Sequence, residues 1–126
     1  MLELGPRVVV VKRGEYGSAL YAKDFYFVTP AFPIDQVKDP TGAGDSFAGG
    51  FIGYLAASGT MDLESMKRAV VHGSVVASFT VEDFSIGRLK KVTRDAVERR
   101  YQEFAGYTQL DAAPSLQPAG QAIRRI

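Results

Sequence analysis

The residues Gly42-Ala43-Gly44-Asp45 stand where an extended segment gives way to a helical pattern. Small residues at a helix start let backbone N–H groups approach a bound phosphate, and the positive end of the helix dipole adds attraction. This is not the common P-loop. No Gly-Lys-Ser/Thr follows the glycines, so no lysine is pre-placed for the phosphates. Asp45 stands there instead. A carboxylate in a phosphate cradle is repelled by its own ligand, so its presence asks for a chemical use. General-base catalysis is one: phosphoryl transfer to a hydroxyl needs the acceptor held in line and a carboxylate to take its proton. A weak base suffices when the transition state is loose and the proton leaves late. The alternative is a helix start whose glycines serve packing, with Asp45 as a first-turn partner of the dipole.

The elements that must position these residues can be read on either side. Val8-Val9-Val10-Val11 is a β-branched run that reads as a strand buried on both faces, closed by Lys12-Arg13-Gly14. Gly14-Glu15-Tyr16-Gly17 reads as a turn, Ser18 to Ala22 as a second strand and Phe25 to Val28 as a third. Pro30 and Pro33 hold an extended connection ending near Val37. From Ala43 to Ala57, Phe47, Phe51 and Leu55 recur every four residues with Ile52 alongside. Gly49 and Gly53 are expected to admit another backbone. Ser58-Gly59 ends that helix. A second helix starts at Asp62 as N-cap, with Leu63, Met66, Val70, Gly73 and Ala77 on one face. Thr93 caps a third, striped by Val97, Tyr101 and Phe104. The order is an α/β layer architecture with its helices late. Residues 1–107 are expected to form one unit, and Pro114, Pro118 and Gly120 to lie in a flexible tail over 108–126.

Composition narrows the chemistry. Fifteen basic against fourteen acidic residues give no electrostatic reason to expect nucleic acid or an anionic membrane as partner. Cysteine is absent, which removes disulfides and thiolate chemistry, and His72 is the one imidazole. No charged leader with a long apolar core opens the chain, and the Phe47–Ala57 stretch is far shorter than a membrane span. A soluble, cytoplasmic protein is the expectation.

The segment Asp39-Pro40-Thr41-Gly42-Ala43-Gly44-Asp45-Ser46-Phe47 resembles the second signature of the ribokinase-like (phosphofructokinase-B type) carbohydrate and nucleoside kinases, Asp-Thr-x-Gly-Ala-Gly-Asp-x-Phe. Pro40 replaces the usual Thr, with Thr41 directly after it. Lys12-Arg13-Gly14-Glu15-Tyr16-Gly17 after a hydrophobic strand also fits the family's nucleotide-binding turn, though a plain hairpin turn remains an alternative. The resemblance implies a ribokinase-like three-layer fold, of which this chain is the C-terminal part. It implies Asp45 as catalytic base, Gly42, Ala43 and Gly44 as anion hole, and Lys12, Gly14, Gly17, His72 and Gly73 beside ATP. For His72 a packed helix histidine is the alternative. The resemblance also implies Mg2+ with the nucleotide and a monovalent cation, K+, near Asp39 and Thr41; a turn initiator is the alternative for Asp39. The family's Asn-x-x-Glu motif, linked to Mg-ATP, has no counterpart, because the chain contains no asparagine. The implied activity is ATP-dependent phosphorylation of a hydroxyl on a sugar or similar small molecule. The rival expectation is a non-catalytic nucleotide- or anion-binding fragment that self-associates, and a homo-oligomer is expected.

Overall fold

A computed structural model describes residues 2–34, 41–82 and 92–108. Three antiparallel strands, β1 (Val8–Lys12), β2 (Ser18–Ala22) and β3 (Phe25–Thr29), form a sheet in the order β1-β2-β3. Three helices follow: α1 (Ala43–Ser58), α2 (Leu63–Val81) and α3 (Arg94–Thr108). This is a mixed α/β unit with its strands first and its helices late, as the sequence pattern predicts. The connection through residues 35–40, the segment 83–91 and the tail from 109 lie outside the described residues.

The four valines of β1 are all half-buried rather than buried on both faces. The pairing is antiparallel, with Val10 opposite Leu20 and Lys12 opposite Ser18. An antiparallel sheet needs cover on one face only. Val8 and Val10 pack with Phe25, Phe27 and Leu20 against Phe47, Phe51, Met66 and Val70 of the helices. Tyr21, Tyr26 and Val28 are exposed. The turn between β1 and β2 tightens into a short 3-10 helix, Gly14–Tyr16, closed by the Arg13 N–H donating to the Gly17 carbonyl at 2.8 Å.

α1 and α2 form an antiparallel hairpin. Gly59 ends α1 in the left-handed conformation, and its N–H reaches the Leu55 carbonyl. The Asp62 carboxylate accepts the Ser65 N–H at 2.8 Å and starts α2; these bonds also hold its pKa below the ordinary carboxylate range. The close approach between the helices lies at Gly50 and Gly73, not at Gly49 and Gly53. A Cβ on Gly73 would sit 2.8 Å from the Phe47 carbonyl, and one on Gly50 would sit 3.0 Å from Val76. At Gly49 and Gly53 it would meet nothing within 4 Å. Ile52 is 60% exposed, so it lies off the packed stripe.

α3 packs behind α2. Phe104 is fully buried with Val75 and Phe79, supported by Phe32, Val97 and Tyr101. The Thr93 hydroxyl accepts the Ala96 N–H at 3.1 Å and caps the helix. Arg100 fastens the junction: its guanidinium lies 3.7 Å from the Phe79 ring centre, donates to the Ser78 hydroxyl at 2.9 Å and pairs with Glu82 at 2.7 Å.

Candidate functional site

The start of α1 is built from a glycine that no other residue replaces without strain. Gly42, its N-cap, has φ 84° and ψ −5°, in the left-handed region. No side chain caps this end. The first backbone bond runs from the Ser46 N–H to the Gly42 carbonyl at 2.9 Å, so the N–H groups of Ala43, Gly44 and Asp45 precede the helical ladder. Asp45 lies in this first turn and is exposed. Uncapped donors, a dipole end and an accessible carboxylate thus occupy one turn of helix.

Two contacts fix that turn, and both join distant parts of the chain. The Ser46 and Thr80 hydroxyls are hydrogen-bonded at 2.7 Å in a buried position, tying the first turn of α1 to the last turn of α2. From the sheet side, the Lys12 ammonium donates to the Gly44 carbonyl at 3.1 Å and lies 5.7 Å from the Phe47 ring centre. A lysine therefore does reach the glycine turn, contrary to what the loop sequence suggests. It arrives from the end of β1, 32 residues earlier. Sequence reasoning missed Ser46 and Thr80 altogether. The one available signal was a pair of hydroxyl residues, Ser78 and Thr80, in the otherwise apolar stretch from Val75 to Val81.

The other residues singled out from the sequence divide. Gly14 and Gly17 adjoin Lys12 in the turn after β1. Gly17 has φ 91°, and a Cβ there would sit 2.2 Å from the Thr29 carbonyl, so the fold itself demands a glycine. Gly73 is buried against Phe47 and has a packing reason of its own. His72 lies apart from Asp45. Its ring centre is 5.3 Å from that of Tyr54 and 6.1 Å from that of Tyr101. Tyr54 is nine residues beyond Asp45, about 13 Å along the axis of α1. Burial lowers the His72 pKa, with Glu98 opposing. These residues line a groove of about 670 Å3 with Gly53, Arg68, Arg94 and Glu98. Thr41 is exposed beside Gly42, and Asp39 lies outside the described residues.

Residues 1–91 match the model of the pfkB family carbohydrate kinases. The chain belongs to the pfkB family. Among curated relatives it is similar to the 5-dehydro-2-deoxygluconokinase of Photobacterium profundum, 37% identical over 105 residues that cover 81% of this chain and 30% of that protein. Among solved structures it is similar to the Methanocaldococcus jannaschii nucleoside kinase, an archaeal member of the ribokinase family. The TM-score is 0.64 at 32% identity, covering 77% of this chain and 30% of that one. It is also similar to the aminoimidazole riboside kinase of Salmonella enterica, solved with aminoimidazole riboside and an ATP analogue. There the TM-score is 0.71 at 25% identity, covering 79% of this chain and 33% of that one. The chain thus spans about a third of the length of such pfkB relatives. No helix among its described residues is long and apolar enough to cross a membrane.

Proposed function

We propose that this chain is the nucleotide-handling and base-bearing portion, residues 1–107, of an ATP-dependent kinase that phosphorylates a hydroxyl of a sugar or nucleoside-like molecule. The observation that carries this reading is the first turn of α1, with three N–H groups outside the helical ladder beside exposed Asp45. In the reaction the acceptor hydroxyl loses its proton to the Asp45 carboxylate. The N–H groups of the Gly42–Gly44 turn hold the phosphoryl group as it moves from ATP to that oxygen. Lys12, Gly14 and Gly17 stand beside the nucleotide's phosphates, and His72 and Gly73 towards its base. A cytoplasmic setting is part of the same proposal. A relative that acts on 5-dehydro-2-deoxygluconate and another solved with a riboside support the acceptor class.

No group of three or more His, Asp or Glu side chains that could hold a metal occurs among the described residues. Mg2+ is therefore proposed to be held mainly by the nucleotide's own phosphates. K+ beside Thr41 and Asp39 belongs to the same proposal. So does a ribokinase-like three-layer fold whose sheet is continued by strands of a longer protein. A second reading, a fragment that binds anions without turnover and self-associates, is favoured by one observation. β1 has no partner on its outer side among the described residues.

The test is Asp45→Asn in the form that turns over ATP, this chain or a longer protein containing it. The kcat should fall about 10²–10⁴-fold, while ATP affinity on the chain stays equal or rises because a negative charge beside the phosphates is gone. Turnover near the original level sinks the assignment.

A further inference from the structure

We infer that Thr80, in the last turn of α2, is the positioning residue for Asp45, and that Arg100 of α3 holds Thr80 in place. The inference rests on the proposed role of Asp45 as base and adds the groups that aim it. Thr80 is fully buried and reaches both ends of the turn that carries Asp45. Its hydroxyl is hydrogen-bonded to that of Ser46 at 2.7 Å. Its methyl stands 3.9 Å from where a Cβ on Gly42 would lie, so it forms the floor under that glycine. Ser46 directly follows Asp45, and its N–H closes the turn on the Gly42 carbonyl at 2.9 Å. One residue therefore closes the turn through its backbone and fastens it to α2 through its side chain.

An apolar pair at these two positions would also pack the helices together. Dispersion contacts tolerate sliding, however, whereas a hydrogen bond fixes a distance and a direction. Buried hydroxyls are costly to leave unpaired, so the bond stays made once the helices pack. Thr80 lies near the end of α2, and helix ends fray. Arg100 opposes the fraying: its guanidinium lies 3.7 Å from the Phe79 ring centre, donates to the Ser78 hydroxyl and pairs with Glu82 at 2.7 Å. Those three residues flank Thr80 on both sides. α3 thus bears on Asp45 without touching it. Arg100 sets the last turn of α2, Thr80 sets Ser46, and Ser46 sets the carboxylate next to it. A base must lie within hydrogen-bond reach of the hydroxyl it serves, and misplacement by about 1 Å costs on the order of 100-fold in rate.

The experiment measures steady-state kinetics in the form that turns over ATP, and amide hydrogen exchange in the 126-residue chain. Thr80→Val keeps the side-chain shape and removes the hydroxyl. It should lower kcat about 10- to 100-fold with little change in KM for ATP. It should also speed exchange of the Ser46 amide by about 10-fold. Thr80→Ser should recover most of both effects, and Arg100→Met should move both the same way by a smaller factor. Leu55→Ala, at the far end of α1, should lower the melting temperature and leave kcat unchanged. A merely structural role for Thr80 would give Thr80→Val that same pattern. Wild-type kcat, or wild-type exchange at Ser46, in Thr80→Val overturns the inference and leaves Asp45 as base standing. Wild-type turnover in Asp45→Asn removes the base, and the role of Thr80 with it. Unchanged kcat and exchange in Arg100→Met overturn the part given to α3. If Thr80→Val does not fold, Ser46→Ala is read in its place by the same two measurements.

Discussion

His72 illustrates how one residue can carry a pH response without any part in chemistry. Its imidazole is half-buried between Tyr54 and Tyr101, and burial disfavours its charged form. Glu98 pulls the other way, while Arg68 and Arg94 also line the groove. The folded-state pKa lies below the ordinary value of about 6.5, so as pH falls through that value the unfolded chain takes up the proton first. This contribution to stability is intact at neutral pH and above, and is lost as pH falls from about 6.5 towards the folded value. The wild type should therefore lose more melting temperature than His72→Gln between pH 7.5 and 5.5. Identical losses in a thermal scan would show that His72 does not couple to folding. At this scale the sequence was most legible where a residue acts on near neighbours. Asp62 and Thr93 cap helices three residues ahead of them, as their types suggest. Lys12 and Gly44 touch across 32 residues, and no local rule connects them.

The elements themselves were legible because their periodicities are strong: β1 to β3 and all three helices fall within a residue or two of where the pattern puts them. What escaped was the partner. Gly49, Gly50 and Gly53 look alike in the sequence of α1, yet α2 crosses at Gly50, where Gly73 offers a matching gap. The four-valine run likewise does not tell whether its neighbours run parallel or antiparallel, and hence whether one face or two are covered. A contrast between glycines follows. Gly49→Ala should stabilise α1 by about 0.5–1 kcal/mol, the helix-propensity gain at an open position. Gly50→Ala and Gly73→Ala should each destabilise by about 1–3 kcal/mol, because the added methyl forces the helices apart. Urea unfolding at constant slope measures both signs. Destabilisation at Gly49 as large as at Gly73 would place the crossing elsewhere.

For the whole molecule, the site sits at the joint between the strand unit and the helical hairpin, and the sheet keeps both outer edges unpaired among the described residues. An unpaired edge of apolar residues is a template for another strand. We therefore propose that the chain at micromolar concentration is a homodimer or larger, joined through β1. Light scattering or sedimentation checks this, and Val9→Lys, which puts a charge on that edge, should shift the population towards monomer. A wild-type chain that stays monomeric and melts cooperatively rules the association out. The joint has another consequence. The β1-β2-β3 meander and the α1-α2 hairpin, whose open end the Ser46–Thr80 bond ties, are each built from consecutive elements, whereas the Lys12–Gly44 link joins one unit to the other across 32 residues. Local contacts of the first kind form early and need little loop closure. The sheet side of the surroundings of Asp45 comes into being only when the two units dock, so we predict that this side of the site assembles last. A phosphate ligand that bridges Lys12 and α1 would bind the docked form alone and act as a folding clamp, adding to the apolar core that joins the two halves.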